Sequence, residues 1–233
     1  MEHEEYTVEN YPSFGKKYNS EKAIISLTSW KARISTVSKT LFSILLQCPG
    51  FHIVLVLSEE EFPKMMDELP DNLKLFVDNE LIEVLWVYKN YKSFKKVLFT
   101  MDKYRDVPVI SADDDCIYTC NYAQELYDKW TENKNAIIKY GYYSKKCYGT
   151  YGPCTLYFPG CYKILSIRNI DISFSKYNGD DDYYTDTLYQ HKIRTIPVHN
   201  KIIHPFTFHD ENKPLHKTPF QKGKVGFIVR NEL

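Results

Sequence analysis

Between residues 23 and 112, short apolar runs alternate with stretches of helical spacing, and this alternation restricts the fold more than any other feature. AIISLTSW (23–30) reads as a buried strand. STVSKTLFSILLQ (35–47) sets Val37, Leu41, Ile44 and Leu45 on one helical face behind a Ser35 cap, and Pro49 with Gly50 ends it. FHIVLVLS (51–58) is almost continuously apolar, as a strand covered on both faces is. A helix is expected to start at Ser58 in SEEEFPKMMDEL, followed by a strand at LIEVLWVY (81–88). SFKKVLFTMDKY (93–104), with apolar residues at 94, 97, 98 and 101, is then a helix feeding the strand VPVISA. This order predicts an α/β fold with a mostly parallel sheet flanked by helices, whose ligands bind outside the carboxyl ends of the strands.

At such an end stand Asp113, Asp114 and Asp115. Ionised carboxylates about 4 Å apart repel by about 4 kcal/mol at an effective dielectric near 20, so a packed triplet needs a cationic partner or raised pKa values. Asp113 and Asp115 form an Asp-x-Asp pair of hard oxygen ligands, suited to Mg²⁺ or Mn²⁺ shared with substrate phosphates. A solvated turn, or a cap for the helix expected at NYAQELYDKWTEN (121–133), is the structural alternative. AIIKYGYY is read as a strand leading away, and TLYFPGCYKIL (155–165) as a strand with a Pro-Gly turn. A second acidic cluster, Asp180, Asp181 and Asp182, opens the helix expected at GDDDYYTDTLYQHK (179–192), with Gly179 read as allowing a sharp turn before it, and KIRTIPV gives a last strand. Crowding raises one carboxyl pKa toward neutrality, which suits a general base acting on an alcohol; first-turn acids facing a helix dipole are the plainer account. Lys31, Arg33, Lys95 and Lys96 are the candidate cations for a diphosphate. Among the tail histidines 199, 204, 209 and 216, His209 is the first candidate metal ligand, because HDENKP sets Lys213 close to it.

Lys plus Arg and Asp plus Glu both total 30, so no global charge points to nucleic acid or an anionic membrane. The longest apolar runs, 41–46 and 53–57, are too short to span a bilayer, so no transmembrane segment is expected. Residues 1–20 read as a polar arm without a secretory signal, and six cysteines without a CxxC pair read as reduced thiols in a cytoplasmic protein, with peripheral attachment at the inner membrane face left open. Residues 21–200 are expected to form one domain, with halves at about 21–120 and 121–200, and 201–233 a tail packed on it. Eleven of the twenty tyrosines fall between residues 140 and 190, where aromatic rings can line a sugar or base site.

The segments IISLTSWKARI, VLVLSEEEFP, SFKKVL and VISADDDCIY, in that order, resemble the nucleotide-sugar-dependent glycosyltransferases of the GT-A fold, specifically bacterial cell-surface polysaccharide enzymes related to glycosyltransferase family 2. The resemblance spans about residues 22–200. It implies a Rossmann-like nucleotide half and a smaller acceptor-side region, with a nucleoside-diphosphate sugar (UDP favoured) as donor and a glycan or lipid-linked molecule as acceptor. It assigns Asp115 to the divalent ion and Asp113 to the ribose or a metal-bound water. Thr28, Ser29 and Arg33 would lie along the nucleotide together with Asp114, and Lys96 would face its phosphates. By the same resemblance Asp181 or Asp182 is the base, although Tyr183 and Tyr184 stand where the related motif carries an apolar residue and Trp.

The reaction so implied is transfer of a sugar with inversion, a retaining course staying open: the ion and a lysine stabilise charge growing on the β-phosphate, while an aspartate takes the acceptor's proton. GYYSKKCYGTYG (141–152) is expected to form the acceptor wall. A nucleotidyltransferase would share the sheet and the diphosphate, but TSWKARI lacks the glycines of a phosphate loop. A nucleotide-sugar-binding module without turnover is the non-enzymatic alternative, and an aspartyl-phosphate phosphohydrolase would carry its Asp-x-Asp on the first strand.

Overall fold

The computed structural model describes residues 22–140, 143–144, 147–148, 152–166, 179–198 and 205–208. In chain order these form β1 (Ile24–Thr28), α1 (Val37–Gln47), β2 (His52–Ser58), α2 (Asp71–Asp78), β3 (Glu83–Val87), α3 (Lys95–Lys103), β4 (Val109–Ser111), β5 (Cys116–Tyr118), α4 (Tyr122–Thr131), β6 (Ala136–Lys139), β7 (Tyr143–Ser144), β8 (Cys147–Tyr148), β9 (Thr155–Tyr157), α5 (Asp180–Gln190), β10 (Arg194–Pro197) and β11 (Phe206–Phe208). Short 3-10 turns precede α2 and α3 and follow β9.

The main sheet runs β10-β6-β9-β4-β1-β2-β3. Ile24–Thr28 pairs in parallel with His52–Val56 on one side, and Ile24–Ser26 with Val109–Ser111 on the other. β9 alone runs against its neighbours, pairing antiparallel with both β4 and β6. A mostly parallel sheet flanked by helices, compatible with a Rossmann-like arrangement, is therefore what the chain forms. β11 pairs antiparallel with β5 away from this sheet, and β7 with β8.

β2 is buried along its whole length, which is why its sequence shows no alternation. Ile25, Leu27, Ile53, Leu55 and Leu57 share the large core with Val37, Leu41, Ile44 and Leu45 of α1. Ile24, Val54, Val56 and Val87 pack separately with Leu85, Phe99, Tyr104 and Val107. α3 is bolted to β1 by Ser26, whose Oγ donates to the Lys96 carbonyl and lies 2.6 Å from Thr100 Oγ1.

Two local expectations are corrected, and one strand appears that was not anticipated. No helix starts at Ser58: Pro63 disfavours helical backbone before it, Met65 has a left-handed φ of 50°, and the helix forms only at Asp71–Asp78, behind Pro70. Cys116–Tyr118, just past the aspartates, is a strand that its short sequence does not announce. Ser35 caps nothing; α1 starts after Thr36, whose hydroxyl donates to the Arg33 carbonyl.

Among the described residues no helix is long and apolar enough to cross a membrane. The described cysteines 48, 116, 120, 154 and 161 are free thiols.

Candidate functional site

The chain leaves β1 toward β2 on one side and returns through β4 on the other, so the carboxyl ends of β1 and β4 lie together where the strand order reverses. Open sheets of this kind hold their ligands at such a point. Ser29 follows β1 directly, and Ala112, whose N–H bonds the Ser26 carbonyl, leads from β4 into the aspartates.

The triplet is divided between two cations. Asp113 accepts a hydrogen bond from Lys96 Nζ at 2.7 Å and is the most open of the three, its side chain 30% exposed. Asp114 and Asp115 turn to Arg33, whose guanidinium lies 3.0 Å from Asp114 Oδ1 and 2.5 Å from Asp115 Oδ2. Ser29 Oγ donates to Asp114 Oδ2 at 2.6 Å, Thr40 Oγ1 to the Asp114 carbonyl at 2.9 Å, and the Asp113 N–H to the hydroxyl of buried Tyr118 at 2.9 Å. Burial pushes the Asp114 carboxyl up to about 6, against the lowering effect of Arg33 and Ser29. The like charges are thus tolerated by both routes that electrostatics allows, internal cations and raised proton affinity.

Lys96 also reaches the second cluster. Its Nζ lies 3.2 Å from Asp180 Oδ2, within ion-pair distance though not aligned as a hydrogen bond. Burial opposes the Lys96 charge, but Asp113, Asp180 and Asp181 together hold its pKa well above the ordinary lysine value. Asp181 is half-buried as a residue, yet its Oδ1 is enclosed and has no hydrogen-bond partner among the described residues. Desolvation first, and Asp180 second, push its proton affinity well above the usual carboxylate range, with Lys96 pulling the other way. Asp182 is raised by the same two causes. Lys139, at the end of β6, is buried and lowered by desolvation to about 8, with Asp181 working to raise it.

α5 delivers its carboxylates through Tyr184, whose hydroxyl donates to the Phe94 carbonyl just before α3 and whose ring meets Phe94 and Tyr157 edge-on. Gly179 has extended backbone, φ −164°, that any residue adopts, so a sharp turn is not the reason for a glycine there.

Of the residues picked from the sequence, Ser29, Arg33, Lys96, Asp113, Asp114, Asp115 and Asp181 come together. Asp182 lies on the same turn but shows no bond to the Lys96 network among the described residues. Thr28 does not join: its hydroxyl donates to the Val56 carbonyl at 2.6 Å and ties β1 to β2. His209 and Lys213 lie outside the described residues, as does most of the tyrosine-rich segment 141–152. Lys139 joins the site without having been singled out from the sequence, and Asp180, named there only as a member of its cluster, pairs with Lys96. Asp180 was legible as part of its triplet, whereas Lys139 sat inside a strand with no local mark of function.

An ion held directly by Asp115, as the resemblance implies, does not match this arrangement. Asp115 Oδ2 and both Asp114 oxygens are already taken by Arg33 and Ser29, and Cys116 Sγ stands 3.7 Å from Asp115 Oδ1. Among the described residues no group of three or more His, Cys, Asp or Glu side chains converges to hold a metal. Mn²⁺ or Mg²⁺ at Asp113 and Asp115 therefore requires Arg33 to move away.

No protein-family model matches the chain, and no curated protein matches it.

Proposed function

We propose that the chain is a glycosyltransferase that moves a sugar from a nucleoside-diphosphate sugar to an acceptor hydroxyl, with UDP-sugars as the favoured donors and a glycan or lipid-linked acceptor. One observation carries this reading. At the strand-order reversal a single buried ammonium, Lys96, spans two separate acidic clusters, Asp113 at 2.7 Å and Asp180 at 3.2 Å, with the protonatable Asp181 beside them. A nucleoside diphosphate lodged there brings its charge to buried cations, and an adjacent carboxylate is placed to exchange a proton.

In the proposed reaction the acceptor oxygen bonds to the anomeric carbon from the face opposite the leaving group. The bond from that carbon to the phosphate oxygen breaks, and its electron pair stays on the β-phosphate, where Lys96 or Arg33 meets it. Ionised Asp181 takes the acceptor's proton; its raised proton affinity brings it nearer to an alcohol's, which favours the transfer. The displacement inverts the anomeric centre. A cytoplasmic location, peripheral at the membrane's inner face, belongs to the same proposal.

The test is transfer of labelled sugar from a panel of UDP- and GDP-sugars to glycan and lipid-linked acceptors, run with Mn²⁺, with Mg²⁺ and with chelator. Turnover with one donor, lost in D181N while donor binding persists, is the expected result. Absence of donor binding across the panel overturns the proposal. A binding module without turnover is the second reading, favoured by the raised proton affinity of Asp181, which works against its acting as a base, and it predicts donor binding with no transfer.

A further inference from the structure

The main sheet has two edges, β10 and β3, and the chain treats them differently. β10 begins with exposed Arg194 and ends in Pro197, which has no N–H to offer a further strand. β3 reads Glu-Val-Leu-Trp-Val, with neither proline nor lysine. Its one charge is drawn toward α3, since Glu83 accepts from Lys103 Nζ at 2.5 Å and from the Tyr104 hydroxyl. Natural sheets blunt their edges with charge, proline or a covering element, and β3 carries none of these devices among the described residues.

The direction of the free backbone groups follows from one hydrogen bond. The Val87 carbonyl accepts from the Glu59 N–H at 2.9 Å, so Val87 faces the β2 side. Strand alternation turns Leu85 and Glu83 the same way and points the N–H and C=O groups of Val84 and Trp86 outward. Val84, Leu85 and Trp86 are themselves half-buried, and Tyr88, directly after the strand, is 80% exposed. Charge is distributed unevenly along this edge. Exposed Asp78 and Glu80 precede β3, whereas exposed Lys89 follows it, with the Tyr91 ring 5.9 Å from its ammonium.

We propose that the chain forms a homodimer in which β3 pairs antiparallel with β3 of a second copy, joining the two sheets into one. A two-fold axis through Leu85 sets Val84 opposite Trp86 of the partner subunit, and the outward groups of each such pair exchange both their backbone hydrogen bonds. The same axis brings Lys89 at the end of one strand to the acidic start of the other, Asp78 and Glu80, whereas a parallel alignment would set like charges together. Tyr88 gains cover in the same contact. The interface is self-complementary and closes at two copies, because the remaining edge, β10, is guarded. β3 lies two strands from β1 and the strand-order reversal, so the pairing does not depend on the transfer reading. A contact built on one short strand is small, and association in the micromolar range is expected.

Analytical ultracentrifugation of the full chain from about 1 to 300 µM measures the association, and hydrogen exchange by NMR reads the Val84 and Trp86 amides over the same range. The expected result is a mass that rises from one chain to two, with both amides slowing as the dimer fills. K89E and E80K, at exposed positions where the fold tolerates either charge, should each weaken the dimer about tenfold, and the double variant K89E/E80K should restore it to within about threefold of the original. A single chain at the highest concentration overturns the proposal. So does a dimer indifferent to both charge reversals, which would place the contact on another face, and so does protection of Val84 and Trp86 that ignores concentration, which would mean that the edge is covered within one chain.

Discussion

Asp181 has its proton affinity pushed well above the usual carboxylate range, because its oxygen is enclosed and Asp180 stands next to it. A base must first be empty, so transfer should rise with pH as Asp181 ionises, along an acid limb displaced above the usual carboxylate range. D181N should lower kcat by about 10²- to 10⁴-fold with little change in donor affinity, and a pH–rate profile limited only near pH 4 would remove Asp181 from the role. Arg33 supplies a second test. With its guanidinium against Asp114 and Asp115, a dication must displace a buried ion pair before it can bind. Calorimetric titration of Mn²⁺ into the nucleotide-free protein should therefore show no binding tighter than the millimolar range; micromolar uptake would show that the triplet is open to metal. R33Q should cost about 3–5 kcal/mol of stability, read by denaturant unfolding, since it strands two buried carboxylates.

α5 and α3 act as one unit at the site because Tyr184 joins them. Its hydroxyl bonds the Phe94 carbonyl at 2.9 Å, and its fully buried ring lies between Phe94 and Tyr157. Y184F keeps the ring and removes the bond, so it should cost about 1 kcal/mol and lower Tm by about 2–4 °C, with a fall in kcat as Asp180 and Asp181 lose their fixed distance from Lys96. An unchanged melting temperature would show that the bond carries no weight. Elements of this kind differ in how far the sequence discloses them. β1, β2, α1 and α3 were legible because burial on both faces writes an unbroken apolar run, and burial on one face writes a helical period. The expected helix at Ser58 failed because its acidic start outweighed Pro63 in the reading, while in the chain the proline decides. The reversed direction of β9 leaves no local trace in its sequence. The aspartate triplets were visible as charge, but their internal partners were not, because Arg33 and Lys96 reach them across 82 and 17 residues.

The two ends of the sheet titrate in opposite senses, and the balance sets how the whole molecule responds to pH. At the carboxyl end burial raises Asp114 from 3.8 to about 6. Its folded form binds the proton more tightly than the unfolded chain does, so stability rises as pH falls from about 6 toward 3.8, by about 3 kcal/mol at most. Asp181, likewise raised by burial and by Asp180, acts in the same direction. At the amino ends of β2 and β3, Glu83 is lowered to about 2: burial works against its charge, but His52, Lys103 and Tyr104 all bond it, with Lys103 Nζ at 2.5 Å and His52 Nε2 at 3.2 Å. Here the folded pKa is depressed, so the stabilisation is present above about 4.5 and lost as pH falls toward 2, about 2 kcal/mol after allowing for solvent screening. Opposed slopes on either side give a maximum. Melting temperatures measured from pH 3 to pH 8 should peak near pH 4, with D114N flattening the neutral limb and E83Q the acid limb. A melting temperature that climbs steadily to pH 7 would mean that Asp114 is ionised and compensated in the folded chain, and that Arg33 alone carries the triplet's charge.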